Sequence, residues 1–492
     1  MTDRSIGLEG DGAGSESNQS PGYDRAPAGE RTDFDPVRLG STVSRALLLL
    51  VFVGLFFVSL MIVSNVAINF HISTYGRKEG VAAMLVVTVV IAGAFVFSRF
   101  SFGYLAGFYL FAMMAGYFWF NIFGTLGYDR RVALISAIAS IVLFLAPVLL
   151  ITRPARRFFT LPHAVLDLLP ACIFLLSAVV FLLTALNGVR LAGLTDMYKY
   201  RATLHHSQLF EYFVGIFYGA LLPFTFACSL ARKRWLMLLA LCALSLLFYT
   251  VTLTKVSLFV SSLLIFFAIL SAYFEARAAV ILSLLLPTAV GLLARQFNSD
   301  IAFEVFGFLS FRMLAIPSIS LDHYYVFFAD HPLTHFCQLS FMKGITDCPY
   351  SDQLGVVLAN WFRLGNLNAS LFATEGVASV GALFAPISAL VCGLILAIGN
   401  NVSAGLPKPF IFVSAATIPH ILLNVPLATT LLSHGLGLLF LLWYVTPPDY
   451  FEQPAVPVAR QIWRRFGRGP PNKFTGRNVL PAAAEQAGSF RE

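Results

Sequence analysis

Long, uninterrupted apolar runs constrain this chain more than any other feature. The run ALLLLVFVGLFFVSLMIV contains no charged residue, and similar runs recur along most of the sequence. A helix of about 20 apolar residues is long enough to cross the ~30 Å hydrocarbon layer of a bilayer. Because 58% of the 492 residues are hydrophobic and only 12% are charged, the chain has too little polar surface to cover a soluble globule. The sequence predicts an all-α polytopic integral membrane protein.

The runs are continuous, unlike the short alternating strands of a membrane β-barrel, and they predict about 12 transmembrane helices. Helices 1–9 fall within residues 41–295, and helices 10–12 fall within 373–446. A large polar loop, 296–372, separates the two groups. The predicted spans are 45–69, 80–98, 101–122, 132–152, 166–187, 209–231, 235–250, 252–273, 277–295, 373–398, 408–426 and 428–446.

Both ends of the chain are polar. Residues 1–40 are rich in Gly, Ser, Asp, Glu and Arg, and they bury too little apolar surface to fold alone, so we expect a disordered tail. The first apolar run is too long for a signal peptide and should remain as an anchor. Residues 447–492 are basic and suit an anionic membrane surface. The net charge of +8 therefore needs no nucleic-acid partner.

The distribution of Lys and Arg beside the spans predicts the orientation, because cytoplasmic loops of membrane proteins are enriched in these residues. If the N-terminus is cytoplasmic, nine helices place the loop 296–372 outside, and three more return the C-terminus to the cytoplasm. The cations that then lie inside are Arg31, Arg38, Arg45, Arg99, Arg153, Arg156, Arg157, Arg232, Lys233, Arg234, Arg277 and Lys408.

Cysteine placement provides an independent indication of compartment. Four cysteines lie inside apolar runs, whereas Cys337 and Cys348 share the long loop. In an oxidising compartment two cysteines eleven residues apart can close a disulfide. The alternative is a pair of free thiols, and the spacing alone leaves both open.

Ionisable side chains within spans are costly and are therefore candidates for function. Lys255, Glu375, His420 and His434 are each predicted near the outer end of a helix, which suggests a shared depth. Each also has an ordinary explanation. Lys255 could extend its amine to the interface, the histidines could hydrogen-bond between helices, and Glu375 could cap the helix that it opens.

Arginines on an outward face run against the inside-positive bias unless they meet an anion. Guanidinium groups bind phosphate in a bidentate manner, so Arg201, Arg312 and Arg363 suit a lipid diphosphate or an acidic saccharide. The alternative is ordinary solvated loop charge. Arg295 opens the loop, and the amphipathic stretch IAFEVFGFLSFRMLAIP that follows is expected to lie along the membrane surface or to re-enter it.

Metal binding is not predicted. His331 and His335 are four residues apart, but Pro332 follows His331 directly, and neither HExxH nor paired CxxC motifs are present. The sequence also lacks a GxSxG nucleophile motif and the glycine-rich loops of nucleotide-binding proteins. The two halves do not share a pattern of interrupted helices, which argues against a secondary transporter.

Two stretches in the last part of the chain are distinctive: Arg312, Pro317 and Asp330-His331-Pro332, and then Asn366-Leu-Asn368, Glu375-Gly376 and Gly381. Together with the overall plan, they resemble the O-antigen polymerase family, the Wzy-type oligosaccharide repeat-unit polymerases. Proteins of this family have ten to fourteen spans, a shorter external loop midway and one large external loop before the last helices. Unlike some members, this chain has no arginine-x10-glycine motif in its loops.

The resemblance implies transfer of a growing glycan from one undecaprenyl-diphosphate carrier to the next lipid-linked repeat, at the outer face of the bacterial inner membrane. It implies that Arg201 and Arg312 stabilise the departing diphosphate, and that His331 or Glu375 deprotonates the acceptor hydroxyl. No metal or cofactor is expected, because the donor is already activated. The implied partners are the lipid-linked oligosaccharide, membrane lipids, a flippase and a chain-length regulator. The remaining candidates for substrate binding are Arg363, Arg295, Lys255 and His420.

Two other functions fit the same sequence features. An O-antigen ligase or related lipid-linked transferase shares the plan and the chemistry but uses a different acceptor. A polysaccharide flippase or transporter is the alternative from another class. A flippase should carry polar groups through the full depth of the membrane, whereas the predicted depths here cluster outward.

Overall fold

The computed structural model describes residues 41–66, 68–73, 80–186, 188–193, 200, 204, 206–297, 299–339, 342 and 347–452. Arg201 lies outside the described residues, as do the predicted tail 1–40 and all but the first six residues of 447–492. The described residues belong to one compact unit of the chain.

The predicted all-α membrane fold is confirmed. Within the described residues the secondary structure is helical apart from one isolated bridge, Ile72 to Gly124. Ten of the described helices are long and apolar enough to cross a membrane. In chain order the helices are α1 (Thr42–Val66), α2 (Val81–Phe97), α3 (Phe102–Phe123), α4 (Arg130–Leu150), α5 (His163–Ala185), α6 (Gln208–Ala231), α7 (Trp235–Thr252), α8 (Lys255–Tyr273), α9 (Ala276–Ala294), α10 (Asp300–Asp330), α11 (Leu354–Phe362), α12 (Phe372–Ser403), α13 (Lys408–Ser414), α14 (Ile418–Leu422), α15 (Leu427–Leu432) and α16 (Leu436–Val445).

Helix α3 forms the centre of the bundle. It begins where the Ser101 hydroxyl accepts the backbone N–H of Tyr104, and nearly all of its side chains are buried. Helix α1 is apolar on all sides but leaves one face exposed, including Val43 and Leu47. A helix that is apolar on all sides lies either within a core, as α3 does, or against lipid, as the exposed face of α1 does.

The bundle has two ends that differ in chemistry. We call one the arginine end, because Arg157, Arg232 and Arg234 lie there. Asp167 is buried at this end, 2.8 Å from Arg234 and 3.6 Å from Arg232. The Tyr450 hydroxyl also donates to Asp167, at 3.0 Å. A buried carboxylate is stable only when paired, so this cluster ties α5 and the α6–α7 turn to the segment after α16.

We call the opposite end the disulfide end, because it carries the bond between Cys337 and Cys348, whose Cα atoms are 5.2 Å apart. Because successive helices alternate in direction, the connections after α1, α3, α5, α7 and α9 lie at this end. Backbone bonds join two pairs of them: the amide of Thr125 donates to the His71 carbonyl at 2.7 Å, and the amide of Arg190 donates to the Thr250 carbonyl at 2.9 Å.

The interval 296–372 was predicted as a loop with an amphipathic segment that lies along the membrane surface or re-enters it. Among its described residues, Asp300–Asp330 and Leu354–Phe362 are helical. Helix α10 packs at the disulfide end through both of its halves, with the Phe308 ring 5.1 Å from Phe259 and the Tyr325 ring 5.1 Å from Tyr117. Between them, the Ser318 hydroxyl donates to the Met113 carbonyl, midway along α3. Helix α10 is therefore re-entrant, although its length and composition would allow a span.

Helix α12 doubles back on itself. At Gly381 the backbone leaves the helical region (φ 75°, ψ 169°), and the Ser388 hydroxyl donates to the Glu375 carbonyl at 2.6 Å. Residues 372–380 form a first arm, and 382–403 form a second arm that runs beside α4. A side chain at position 381 would be strained in this conformation, which is why glycine suits the turn.

The predicted spans 408–426 and 428–446 are wrong as continuous helices. Each is broken, into α13 and α14 and into α15 and α16. Pro419 and Pro426 lie at the starts of α14 and α15, and Gly435 (φ 76°) precedes α16. Because the Val445 carbonyl accepts the Leu161 amide and Phe410 packs on Phe224, both ends of this segment lie at the arginine end. The sequence prediction missed these interruptions.

Candidate functional site

Two re-entrant segments meet inside the bundle. The Ala369 amide donates to the Asn424 carbonyl at 3.1 Å. The Glu375 carboxylate accepts the Ala428 amide at 3.0 Å and the Thr374 hydroxyl at 2.7 Å. We call this meeting point the central junction, defined by Asn368, Ala369, Glu375, Asn424 and Ala428. Backbone outside regular helices is tolerated at membrane depth only when protein or a cavity surrounds it, which is the case here.

The central junction lies near the middle of the bundle. Phe372, at the base of the first arm, packs on Phe144 at 5.3 Å, and Phe144 lies beyond the midpoint of α4 from the disulfide end. Ser388, whose hydroxyl donates to the Glu375 carbonyl, lies six residues after the start of the second arm, on the way to the arginine end. Glu375 does lie near a helix end, as predicted, since it is the fourth residue of α12. Its predicted depth near the outer face is wrong, because α12 begins in the middle of the bundle and its first arm rises from there to the turn at Gly381.

His420 and His434 are also central. The His420 ring is 5.0 Å from the Tyr109 ring in α3. The His434 carbonyl packs directly against Gly219, halfway along α6, where a Cβ would overlap it. The segment 408–446 is broken and reverses direction inside the bundle. His420 and His434 therefore do not reach the disulfide end. Of the four groups predicted at a shared outer depth, Lys255 alone lies at that end, as the first residue of α8.

A cavity of about 350 Å³ lies beside the central junction. One wall is α15, the helix whose Ala428 amide is bound by Glu375. The opposite wall includes Gln338, whose side-chain amide donates to the Cys348 sulfur at 3.4 Å, so the disulfide holds that wall in place. The lining carries hydroxyl and amide groups among apolar side chains and has no charged residue. It consists of Tyr212, Ile216, Gln338, Leu339, Ala428, Thr429, Leu432 and Ser433.

The three residues predicted as catalytic are not brought together. Ser320, one turn before Tyr324 on α10, accepts the Asn368 amide at 3.0 Å, which places this part of α10 at the central junction. Arg312 precedes Tyr324 by twelve residues on the same helix, about three turns, and His331, the first residue after the helix, follows Tyr324 by seven, about two turns. His331 stacks on the Phe327 ring at 3.9 Å, and its Nδ1 lies 2.7 Å from the Phe327 carbonyl. Arg312 is exposed.

The predicted cations are spread over the disulfide end. Arg363 is exposed in a left-handed conformation (φ 55°) that ends α11. Arg295 ends α9, and its Nε is buried without a hydrogen-bond partner among the described residues. Lys255 is half-buried in the helix that contacts α10 through Phe259. None of these three, nor Arg312, lines the cavity.

A polar network at the disulfide end was not predicted. Asp322 of α10 is buried, accepts a hydrogen bond from the Tyr128 hydroxyl and lies 3.8 Å from Arg130. Burial and the neighbouring Asp322 carboxylate raise the pKa of Tyr128 well above its ordinary value, so this phenol stays a donor. The adjacent acid and histidine at 322 and 323, within an otherwise apolar run, were the signal available in the sequence.

No family model matches this chain, and no curated protein or solved structure matches it. The resemblance to Wzy-type polymerases therefore rests on the residues quoted for it. In the structure Asn368 and Glu375 belong to the central junction, and Gly381 forms the turn between the two arms of α12.

Proposed function

We propose that this protein polymerises lipid-linked oligosaccharide repeat units, of an O-antigen or an exopolysaccharide, from an undecaprenyl-diphosphate-linked donor. The cavity beside α15 is the observation that carries the proposal. Uncharged hydroxyl and amide groups, here Tyr212, Gln338, Thr429 and Ser433, suit the hydroxyls of sugars, and the apolar residues between them suit ring faces. Its volume of about 350 Å³ is in the range of small-molecule sites.

The disulfide end is proposed to face the outside of the bacterial inner membrane, with both termini in the cytoplasm. Disulfides persist in oxidising compartments such as the bacterial periplasm, and one holds a wall of the cavity. The arginine end would then face the cytoplasm, in agreement with the inside-positive bias. A lipid-linked sugar would reach the cavity from the outer leaflet.

In the proposed reaction the acceptor hydroxyl attacks the anomeric carbon of the donor. The bond from that carbon to the diphosphate oxygen breaks, its electron pair leaves with the lipid diphosphate, and the acceptor proton passes to a base. Exposed guanidinium groups such as Arg312 and Arg363 would receive the diphosphate at the membrane surface. Glu375 would act through α15, because its bond to Ala428 fixes the wall that carries Thr429 and Ser433.

Transport of a polar or lipid-linked substrate is the second candidate. The observation in its favour is the meeting of broken helices around Glu375 in the middle of the bundle, an arrangement that many secondary transporters use for substrate and ion sites. This central arrangement also removes the argument made against a flippase, namely that the polar groups cluster at the outer end of the bundle. An O-antigen ligase remains the closest alternative in chemistry.

Filling the cavity tests the proposal. In the organism that carries this gene, deletion should remove long-chain polysaccharide while leaving glycolipid that carries a single repeat. Wild-type protein should restore long chains, whereas Ser433→Trp should not, because the indole would occupy the cavity. Leu441→Trp is the matched control, since Leu441 lies in α16 with its side chain 54% exposed on the bundle surface.

The deletion strain also separates the alternatives. Loss of every repeat-bearing glycolipid, with lipid-linked polymer accumulating, would indicate a ligase. Accumulation of single lipid-linked repeats on the cytoplasmic side would indicate a flippase. Long chains in the deletion strain, or full restoration by Ser433→Trp at wild-type protein levels, would refute the proposal.

A further inference from the structure

Glu375 is a buried acid without a counter-cation. Glu375 is only 7% exposed, and its carboxylate forms no ion pair with any residue that the structure describes. The other carboxylates buried to this extent, Asp167 and Asp322, each lie beside arginine. An ionised carboxylate in a low-dielectric interior is strongly disfavoured unless a positive charge compensates it.

Three buried polar atoms on the segments that meet at the central junction lack a hydrogen-bond partner among the described residues. Tyr324 Oη, Asn368 Nδ2 and Ser370 Oγ have no hydrogen-bond partner among the described residues, and these residues are only 0%, 5% and 1% exposed. Buried polar atoms are nearly always paired, so three orphans in one region require an explanation. An unsatisfied hydroxyl or amide destabilises the fold, which favours a ligand that satisfies all three.

Hydrogen bonds connect the backbone of Ser370 and Asn368 to the neighbourhood of Glu375. The Thr374 hydroxyl lies 2.9 Å from the Ser370 carbonyl and 2.7 Å from the Glu375 carboxylate. The Asn368 amide donates to Ser320 Oγ at 3.0 Å, and Ser320 lies one turn before Tyr324 on the same face of α10. The extended segment before α12, the first arm of α12 and α10 thus bring these three residues into the same buried region as the Glu375 carboxylate.

We propose that Glu375, Ser370, Tyr324 and Asn368 bind a single sodium ion at the central junction. Hard cations prefer oxygen ligands, here a carboxylate, two hydroxyls and a side-chain amide. The side-chain atom of Asn368 that lacks a partner is its nitrogen. Rotating this amide by 180° about its last torsion places the oxygen there instead, because the two groups are nearly isosteric.

The charge count favours a monovalent ion. One carboxylate balances one positive charge, whereas calcium sites usually combine several carboxylates and magnesium keeps several waters. The described residues also lack any group of three His, Cys, Asp or Glu side chains that could hold a transition metal. Interrupted helices are a recurrent setting for sodium in membrane proteins, because they free backbone carbonyls at membrane depth.

Thermal unfolding of the full-length protein in detergent tests the site without any saccharide substrate. The unfolding temperature is measured in sodium chloride and in N-methyl-D-glucamine chloride at equal ionic strength. A ligand that binds only the folded state stabilises it, so sodium should raise the unfolding temperature in a saturable manner. Glu375→Gln should abolish the sodium-dependent shift, and Glu304→Gln, at an exposed position on α10, should retain it.

Tyr324→Phe and Ser370→Ala should shift the sodium response to higher concentration, and they serve as the test if Glu375→Gln does not fold. Binding of radioactive sodium to the purified protein should reach one ion per chain. A sodium response that is absent in the wild type, or unchanged in all three site variants, would overturn the proposal. If Glu375 is instead protonated and neutral, the wild type should show no sodium response, and Glu375→Gln should be as stable as the wild type in either salt. Since no glycan is involved, failure here leaves the proposed polymerase activity standing.

Discussion

At the scale of single residues, the partners of a charge decide its role more than its position in the sequence does. Asp167 and Asp322 are each beside arginine, and their networks join helices at opposite ends of the bundle. Glu375 binds backbone and hydroxyl donors instead, and it organises the central junction. The exposed cations have fewer structural duties, which leaves them available for an anion at the membrane surface.

Arg312→Ala tests that role. We expect loss of long-chain polysaccharide with single-repeat glycolipid retained, because a missing guanidinium weakens stabilisation of the departing diphosphate. Protein level and unfolding temperature should change little, since Arg312 is exposed. Arg153→Ala, an exposed arginine at the arginine end, should leave chain length unchanged on a polysaccharide gel. Wild-type chain length in Arg312→Ala would exclude the residue from the reaction.

At the scale of elements, interruptions place the functional groups. Gly381 turns α12 back on itself, and Gly435 with Pro419 and Pro426 breaks the last segment. Without these breaks, Glu375 and His434 would lie on separate continuous spans. The turns act together with packing, since the Leu333 side chain covers Gly381 at the disulfide end.

Gly381→Ala should destabilise the protein by about 1–3 kcal/mol, because an alanine at φ 75° and ψ 169° is strained. The expected observation is a lower unfolding temperature and a weaker sodium response. Gly93→Ala is the control: Gly93 lies inside α2 with open space around it, and alanine is the better helix former there. Equal stability of the two variants would show that the turn at 381 tolerates a side chain.

The disulfide is a second element that can be removed. Cys337→Ser with Cys348→Ser should lower stability by about 2–3 kcal/mol and reduce polymer length, because Gln338 and Leu339 would no longer be held at the cavity. Cys172→Ser removes a free, exposed thiol and should have no effect. Unfolding temperature and polysaccharide gels measure the two outcomes; a double variant that matches the wild type in both would remove the disulfide from the site.

At the scale of the whole molecule, the two ends of the bundle should face different compartments. A membrane-impermeant maleimide added to intact spheroplasts should label Ser351→Cys, in the exposed segment that follows the disulfide, above the wild-type background. Arg153→Cys, at the arginine end, should be labelled only after the membrane is opened. The reverse pattern would invert the proposed topology and would argue against glycan transfer at the outer face.

The fold class followed from the sequence because a long apolar run is a local property: it must be helical and buried in lipid or protein wherever it lies. The nine runs between residues 41 and 295 were visible in this way. The sequence left open whether Cys337 and Cys348 pair, and the structure shows that they do. The depth of a residue is not local. Glu375, His420 and His434 were placed near the outer ends of helices on the assumption of continuous spans. The segment of α10 was taken as part of a polar loop, with an amphipathic stretch that lies along the membrane surface or re-enters it.

The sequence alone determined that this is a helical membrane protein, and it predicted that most of the candidate site residues lie between Arg295 and His434. Tertiary structure alone decided that two re-entrant segments meet at Glu375, and that Arg312 and His331 lie turns away from it on α10. The physical reason is that a broken helix is tolerated inside a membrane only when a second segment satisfies its backbone. Ala369 and Asn424, fifty-five positions apart, do this for each other.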